Sequence, residues 1–550
     1  MLFLFCLSWN GVLRAAGVLA ESSKKNHGPV YVPLDSWIYP AFRRLAALGY
    51  VPDADTLVAP WTRQECLSFV EEAADFASRR SSKTGFGAAN NEALRLLSDL
   101  RAEFENDTES ATEARVESVY ARVTQIGGLP LQDSYHFGQT LENDFGRPFG
   151  EGTSTDVGFS GYGTAGRFSG YLRTEFQSAP GTPPYPQGVQ NVISALDGIP
   201  GKPDRGMPGS PRFDPLEMYI GANFHPFNVT IGKQSIWWGP GQSSAFHFSD
   251  NAEPIYALRI SQSSPVLLPG PFRWLGRIRT EFVLGRLSGH EFPVGPFINA
   301  QKITLQLTEN LEVGFTRSAI FAGAGHPLTT GGFLQSLFSA SSSGGSAFGS
   351  ANDPGDRRCG FDFRWRVPML RRYVTVYSDS LADDEPSPLA NPKRAAWGPG
   401  VYITQLPGLK KLDLRFETYS TWLYRQDEGG RFIYWNTQYR DAYTNDGFLI
   451  GSWVGRDARA YAVSSTYWQS GATTLTASYR QTKTGSKFLP GGGTQTDVAL
   501  DAKVRLRPNL ILGVSMQAER YLIPVLGGAT NNIAASVGLT YRPTEWAVKP

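Results

Sequence analysis

Hydrophobic and polar residues alternate along most of the chain, from residue 115 to the C-terminus. In the stretch DVALDAKVRLRP, one face carries the apolar residues between Val498 and Leu506, and the other carries the charged residues between Asp497 and Arg507. Side chains on a β-strand point alternately to its two faces, so this period of two predicts strands. A charged face repeated over so much of the chain, with no helical layer to cover it, favours a transmembrane barrel over a soluble sandwich.

The segments between the predicted strands alternate in length. Short turns are expected at 507–509, 470–471, 406–411, 368–371, 308–310, 225–227 and near 167. Long segments lie between them, at 484–493, 426–457, 381–395, 321–357, 288–297, 239–254, 179–214 and 144–152. Outer-membrane barrels have short periplasmic turns and long external loops, so this alternation predicts an antiparallel barrel of about 18 strands that begins with a strand over 134–143. The connection over 263–275 is longer than this rule predicts.

The N-terminal part has a helical pattern over residues 31–106. Asp35 is the expected N-cap of a first helix, and Thr62 followed by Glu65 forms a capping box for a second one. The Thr-Arg-x-Glu pattern here also resembles an S-layer homology motif, which would bind cell-wall polymer.

The fold predicted from these patterns is mainly β: a transmembrane antiparallel β-barrel whose periplasmic side is plugged by a small N-terminal α-helical bundle. An apolar run that ends at Ala20 is typical of a secretion signal. We expect a signal peptide over 1–20, a periplasmic helical bundle over 21–112, a periplasmic connecting strand over 113–133, the barrel over 134–543 and a tail over 544–550.

Charge, cysteines and histidines narrow the function. The formal net charge of +2 argues against a nucleic-acid partner, which would need a clustered basic excess. Cys66 and Cys359 are expected to stay unpaired, because the predicted topology puts them on opposite sides of the membrane. The six histidines are scattered, and no ligand spacing implies a metal or an organic cofactor. Ser243, Ser244, His247 and Asp250 could be assembled into a triad, but such residues are common in loops, and we expect no enzyme activity.

Two adjacent tryptophans end one of the predicted strands. In IGKQSIWWGPG, Trp237 and Trp238 close the strand 227–238 at its outer end, before a Gly-Pro-Gly breaker. Neighbouring strand residues face opposite sides, so one indole is expected in the aromatic girdle at the lipid interface and the other in the lumen. An indole face in the lumen could stack on a sugar ring. The alternative, that both tryptophans pack against the following loop, remains open.

Several separate motifs also match one family in the same order. They are PLDSWIYPAFRRLAALG, PWTRQE, LQDSYHFGQTLENDFGRPFGEG, YLRTEFQSAP, IGKQSIWWGPG with SDNAEP, and NDGFLIGSWVGRDAR. Over nearly the whole mature chain the sequence resembles the capsule assembly Wzi family of outer-membrane proteins. The resemblance implies an 18-stranded barrel closed by N-terminal helices that acts as a lectin for capsular or extracellular polysaccharide. The sequence also carries a distinctive loop, GGFLQSLFSASSSGGSAFGS, and a tail beyond Tyr541.

Polysaccharide is therefore the expected ligand, held at the outer rim of the barrel. The hypothesised binding residues are Trp237, Trp238, Lys233, Gln234, Asp250, Asn251, Trp435, Asn436 and Tyr439. Outer-membrane lipid is an expected partner, the polysaccharide export machinery is a further candidate, and the protein is expected to be a monomer of the outer membrane of a diderm bacterium. The alternative function is a porin for small solutes, in which the lumen would be open.

Overall fold

The computed structural model describes residues 27–52, 54–83, 91–104, 112–199, 206, 209–339, 349–370, 373–423, 429–543 and 547–548. The expected signal peptide over 1–20 lies outside the described residues, as does most of the expected tail. In the part of the tail that is described, Ala547–Val548 pairs with Ala114 and Arg115.

The described strands form a closed antiparallel barrel of 18 strands, as the alternating pattern predicts. The barrel strands are β1 Thr112–Gly127, β2 Gly152–Ala165, β3 Phe168–Ala179, β4 Ser210–Phe224, β5 Phe227–Gln234, β6 Ile255–Gln262, β7 Arg277–Arg286, β8 Phe297–Thr308, β9 Leu311–Phe321, β10 Asp356–Arg366, β11 Val374–Asp383, β12 Ala395–Ile403, β13 Leu414–Ser420, β14 Ala458–Trp468, β15 Thr474–Thr484, β16 Gly493–Arg507, β17 Leu510–Ile523 and β18 Gly528–Tyr541. Short additional strands are Val58–Ala59, Gln132–Asp133, Gly138–Gln139, Trp237–Trp238, Val266–Leu267, Thr444–Asn445 and Phe448–Leu449.

The first barrel strand differs from the prediction. Strand β1 closes the barrel by pairing with β18 on one side and β2 on the other, with Val119 opposite both Tyr541 and Phe159. The segment 113–133, expected outside the barrel, is thus mostly barrel wall. Residues 134–143, expected to be the first strand, belong instead to a loop in which Gln132–Asp133 pairs with Gly138–Gln139. The loop folds into the lumen, where the Thr140 hydroxyl donates to Glu519 at 2.6 Å.

The connections separate by length into two ends of the barrel. Turns such as 166–167, 225–226 and 309–310 lie at what we call the short-turn end, and the loops such as 239–254 and 429–457 lie at the long-loop end. The alternation expected from the sequence is confirmed from β2 onward. The exception over 263–275 is built from the short strand Val266–Leu267 and a 3-10 helix, Gly270–Leu275.

The outer wall is apolar and the inner wall polar. Half-exposed apolar side chains such as Val498, Met516 and Val537 point outward, whereas Asp497, Glu519 and other charged residues on the same strands are buried inside. This polarity suits a wall with hydrocarbon outside and a polar lumen.

Within the described N-terminal residues, three helices close the short-turn end. They are α1 Ile38–Leu48, α2 Arg63–Lys83 and α3 Asn91–Phe104; two further helices, α4 Gln187–Asp197 and α5 Thr330–Phe338, lie in long loops. The helical segment is ion-paired to the wall on several sides: Arg44 to Asp413 at 3.1 Å, Glu65 to Arg279 at 2.7 Å and Asp35 to Arg173 at 2.7 Å. We call this segment, residues 27–104, the plug.

Two local predictions for the plug have different outcomes. The capping box is confirmed, since the Thr62 hydroxyl accepts from the Glu65 amide at 3.1 Å and the Glu65 carboxylate accepts from the Thr62 amide at 2.7 Å. Asp35 is not the N-cap of α1, because that helix begins at Ile38 and the Asp35 carboxylate binds Arg173 instead.

Among the described helices, none has the length and apolarity needed to cross a membrane. Cys66 and Cys359 are both buried, and they do not form a disulfide with each other, as expected.

Candidate functional site at the long-loop end

The tryptophan pair lies inside the barrel and not on its wall. Strand β5 ends at Gln234, and the chain then turns inward, so that Trp237–Trp238 forms a two-stranded sheet with Val58–Ala59 of the plug. The turn is held from both sides: the Trp238 amide donates to the Phe248 carbonyl at 3.1 Å, and the Gly239 amide donates to the Leu57 carbonyl at 2.9 Å.

Both indoles are core residues. Trp237 packs with the plug and lies 6.0 Å from the Arg43 guanidinium, whereas Trp238 is 0% exposed and packs edge-on against Phe248 at 5.0 Å. The Trp238 Nε1 donates to Glu281 at 3.0 Å. The expectation that one indole faces lipid is therefore wrong, because the chain has left the wall before it reaches them. The two indoles, on opposite faces of the short strand, pack into two different hydrophobic clusters inside the barrel.

The Gly-Pro-Gly that follows starts a loop that runs through the lumen, residues 239–254, which we call the inner loop. Glu417 accepts from the Gln242 amide at 2.9 Å, and Asp379 accepts from the Phe246 amide at 2.8 Å. On its other side, the inner loop contacts residues 429–457, which we call the cap loop: the Tyr434 hydroxyl donates to the Phe246 carbonyl at 2.7 Å. The plug, the inner loop and the cap loop therefore contact one another in series through the lumen of the barrel.

Four other predicted binding residues are also buried. Lys233 is ion-paired with Asp214 at 3.1 Å and with Glu253, and the Asn251 amide donates to the Leu449 carbonyl at 3.1 Å. Gln234 and Asp250 line a small cavity of about 20 Å³. That volume holds about one water molecule, so the cavity cannot accept a sugar ring. Burial raises the pKa of Asp250 to about 7, and its Oδ1 has no hydrogen-bond partner.

The three predicted residues of the cap loop divide into two structural groups. Asn436 donates to Asp356 at 2.9 Å, and Tyr439 is fully buried, so both hold the loop in place. Trp435 is half-buried and packs against the central core cluster. Among the nine predicted residues, it is the aromatic side chain that keeps an exposed part.

A surface patch surrounds Trp435. The Trp435 amide donates to the Phe432 carbonyl at 3.3 Å, which makes the two residues neighbours on one turn. The Arg394 guanidinium stacks over the Phe432 ring at 4.3 Å and is ion-paired with Glu385 at 2.9 Å. We call Arg394, Phe432 and Trp435 the aromatic–arginine patch. Ring faces beside a guanidinium suit a sugar ring that carries hydroxyl or carboxylate groups.

Sequence reasoning missed Arg394 and Phe432. The loop-length alternation did place 381–395 and 426–457 at the same end of the barrel. It could not indicate that a residue of one loop stacks on a ring of the other, because such a contact depends on how two irregular loops pack.

The residues considered for a catalytic triad are engaged elsewhere. The Ser243 hydroxyl donates to Glu417 and to Tyr419, the latter at 3.3 Å, and the Ser244 hydroxyl donates to Ser452 at 2.7 Å. Neither serine is therefore bonded to His247, and these residues do not have the arrangement that nucleophilic catalysis needs.

The residues resembling an S-layer motif, Thr62 to Glu65, include three that are buried against the barrel, where cell-wall polymer has no access.

This fold and this surface define a class: an outer-membrane β-barrel whose lumen is filled and whose loops form a polar and aromatic outer surface. The chain belongs to the capsule assembly protein Wzi family, whose model matches residues 121–535.

Two known proteins illustrate the relationship. The chain is 24% identical over 178 residues to an uncharacterised 55.8 kDa protein in the cps region of Klebsiella pneumoniae; the match covers 32% of this chain and 34% of that protein, about a third of its length. The solved structure of Escherichia coli Wzi, described as a carbohydrate-binding β-barrel of the outer membrane involved in group 1 capsule assembly, is similar with a TM-score of 0.67. That similarity has 15% identity and covers 94% of this chain and 99% of the other, and it shows the common fold.

Proposed function

We propose that this protein acts as a lectin that holds capsular or extracellular polysaccharide at the cell surface. Membership of the capsule assembly family supports the role. At the level of residues, the main support for this role is the aromatic–arginine patch. The patch offers ring faces and a cation at the long-loop end, away from the plug. The proposal is for a binding protein and not an enzyme.

The patch moves the proposed binding site from the tryptophan pair to the cap loop. Trp435 remains from the original hypothesis, and Phe432 and Arg394 join it. One aromatic contact contributes only about 1 kcal/mol beyond burial, so we infer that a polymer is retained by several weak contacts along its repeats.

The porin alternative is less well supported. Charged lumen residues that a porin would need free are paired across the interior: Arg279 contacts Glu65 of the plug at 2.7 Å, and Lys233 contacts Asp214 at 3.1 Å. Among the described residues, the inner loop contacts the plug on one side and the cap loop on the other, so side chains and backbone occupy the lumen that a porin would need open.

The proposal includes the route of export, the orientation in the membrane and the partner of the protein. We infer export through a signal peptide over residues 1–20, insertion as a monomer and long loops on the outside of the cell, since short turns of outer-membrane barrels face the periplasm. The polysaccharide export machinery is the partner that would deliver the polymer.

Substitution of the patch tests the proposal. In the native host, Trp435→Ala combined with Phe432→Ala should lower the ratio of cell-bound to released polysaccharide by roughly 30-fold, if each ring contributes about 1 kcal/mol. The measurement is the ratio of cell-bound to released polymer at equal amounts of folded protein in the outer membrane.

Leu389→Ala is the matched control, because Leu389 is also exposed, at 51%, in a loop at the same end. Arg394→Gln should give a smaller loss than the double aromatic variant. Unchanged retention in the double variant, with normal abundance, would move the binding site away from the patch.

A further inference from the structure

A polar region interrupts the outer wall of the barrel. On neighbouring strands, Ile303, Phe315 and Phe361 are in register and point outward. The next outward row towards the long-loop end is Gln301, Arg317 and Cys359, and the row beyond it contains Asn299 and Arg357. We call Asn299, Gln301, Arg317 and Arg357 the outer polar patch.

The outer polar patch begins close to the short-turn end of the wall, compared with the length of the apolar surface on other strands. On β16 the outward residues are apolar from Val498 to Leu506, about 26 Å of strand at 3.3 Å per residue, whereas on β9 the apolar run from Leu311 ends at Phe315, after about 13 Å, because Arg317 interrupts it. The lipid-facing band of such barrels is about 25 Å tall. Without a cover, Arg317 would therefore lie at the level of the hydrocarbon.

Helix α5 provides a cover. The Asn299 amide donates to the Ser336 hydroxyl at 2.7 Å, and Arg317 donates to the carbonyls of Ser336 at 3.4 Å and Ser339 at 2.5 Å, at the C-terminal end of the helix. A cation is favourable there because the carbonyls at a helix C-terminus are unsatisfied and carry negative partial charge. Because Asn299 and Arg317 point outward, the helix lies on the outside of the barrel.

The two faces of α5 differ in character. Gly332 and Ser336, four residues apart, are buried, and the Phe333 ring packs 6.0 Å from that of Phe321. On the opposite face, Leu334 and Phe338 are each 49% exposed. The helix contains no charged residue. A water-exposed helix normally carries charges on its outer face, so this composition fits contact with lipid.

We propose that α5 is a lipid-contacting helix packed on the outer wall, which covers Asn299 and Arg317 of the outer polar patch and restores an apolar exterior there. Leu334 and Phe338 contact the hydrocarbon of the outer leaflet at its border with the head groups. Lipid is the proposed contact because α5 is bound to Arg317, whose row adjoins the outward apolar row of Phe315 and Phe361.

Site-directed fluorescence in nanodiscs tests this placement. Leu334→Cys, in full-length protein lacking Cys66 and Cys359, is labelled with an environment-sensitive fluorophore. The nanodiscs contain phosphatidylcholine with spin-labelled acyl chains, and iodide serves as the aqueous quencher. Val498→Cys on the lipid-facing wall is the lipid reference, and Leu389→Cys in an exposed loop is the water reference; these residues are 57% and 51% exposed.

The label at 334 should be quenched by the spin-labelled lipid about as strongly as the label at 498, and by iodide several-fold less than the label at 389. Iodide quenching equal to that at 389, with no lipid quenching, would overturn the proposal and make the helix a water-facing element. Protection from both quenchers would also overturn it, because another protein surface would then cover the helix.

Discussion

At the scale of single residues, the tryptophan pair shows how a correct periodicity leads to a wrong environment. Alternation along a strand does place Trp237 and Trp238 on opposite faces, but both faces are protein because the strand has left the wall. The Trp238 indole is fully buried and donates to Glu281, which also binds Arg259 at 2.7 Å and contacts Arg279 at 3.4 Å. The pair therefore stabilises the junction of wall and plug.

Two substitutions of Trp238 test this structural role. Trp238→Phe keeps most of the ring and removes the hydrogen bond to a charged group, and it should lower the free energy of unfolding by about 1.5–3 kcal/mol. Trp238→Ala also leaves a cavity and should cost about 3–5 kcal/mol. The measurement is the unfolding midpoint in urea of the protein in lipid vesicles, with Leu389→Ala as the neutral control.

The opposite pattern would return Trp238 to the binding site. If Trp238→Ala unfolds like the unmodified protein and yet loses cell-bound polysaccharide, the indole must be reached by the ligand, and the buried geometry would not describe the functional state.

At the scale of elements, one buried histidine joins three loops. His136, in the loop after β1, binds Asp133 at 2.7 Å through Nδ1 and Asp197 at 3.1 Å through Nε2. Asp197 ends α4, and it is also ion-paired at 2.9 Å with Arg456 of the cap loop. Burial disfavours the charged imidazolium, but the carboxylates of Asp133 and Asp197 outweigh it and raise the pKa of His136 to about 9.

This junction should make the loops sensitive to alkaline pH. The folded pKa of His136 lies above its ordinary value near 6.5, so its contribution is complete below about pH 6.5 and is lost as the pH rises through 9. The contribution is up to about 3 kcal/mol, at 1.36 kcal/mol per pKa unit. Proteolysis of the cap loop should therefore accelerate between pH 7 and pH 10, in a range set by this titration.

His136→Gln is the control for this effect, because glutamine keeps hydrogen-bonding capacity without the titration. The variant should be cleaved faster at pH 7, with little further change up to pH 10. An equal acceleration with pH in both proteins would assign the effect to another group.

Most wall elements were predictable, for a physical reason. Lipid outside and polar contacts inside impose a period of two on every strand, and turn and loop lengths impose direction. The first strand is harder to predict, because loop lengths alone do not distinguish β1 from the segment 134–143; the outward-facing Val119 and Val123 mark β1 as wall. The interior was less predictable, since Trp238, Lys233 and Asn251 owe their burial to contacts with distant loops.

At the scale of the whole molecule, the barrel wall encloses a lumen that the plug, the inner loop and the cap loop occupy. The plug contacts the wall near the short-turn end, as in Arg44 with Asp413, and the cap loop contacts the inner loop near the other end, as in Tyr434 with Phe246. These interactions satisfy charges that an empty lumen would expose to water. The proposed binding surface on the loops is thereby supported from below by these contacts.

Conductance tests this closure directly. Full-length protein in planar bilayers should conduct negligibly, because plug and inner loop occupy the lumen. A variant lacking residues 27–104 keeps β1, which begins at Thr112, and it should insert as a barrel with measurable, more frequent open-channel steps. The deletion also removes Glu65 and Asp35, the plug carboxylates closest to Arg279 and Arg173 on the wall, so the residual current should favour anions.

Two comparisons keep this test specific. Glu65→Gln, which retains the plug but removes the charge facing Arg279, should loosen the plug and give brief openings without a stable current. A barrel signature by circular dichroism is required of each variant. If the truncated barrel inserts and conducts no better than the full chain, the inner and cap loops alone seal the lumen, and the plug serves stability and not closure.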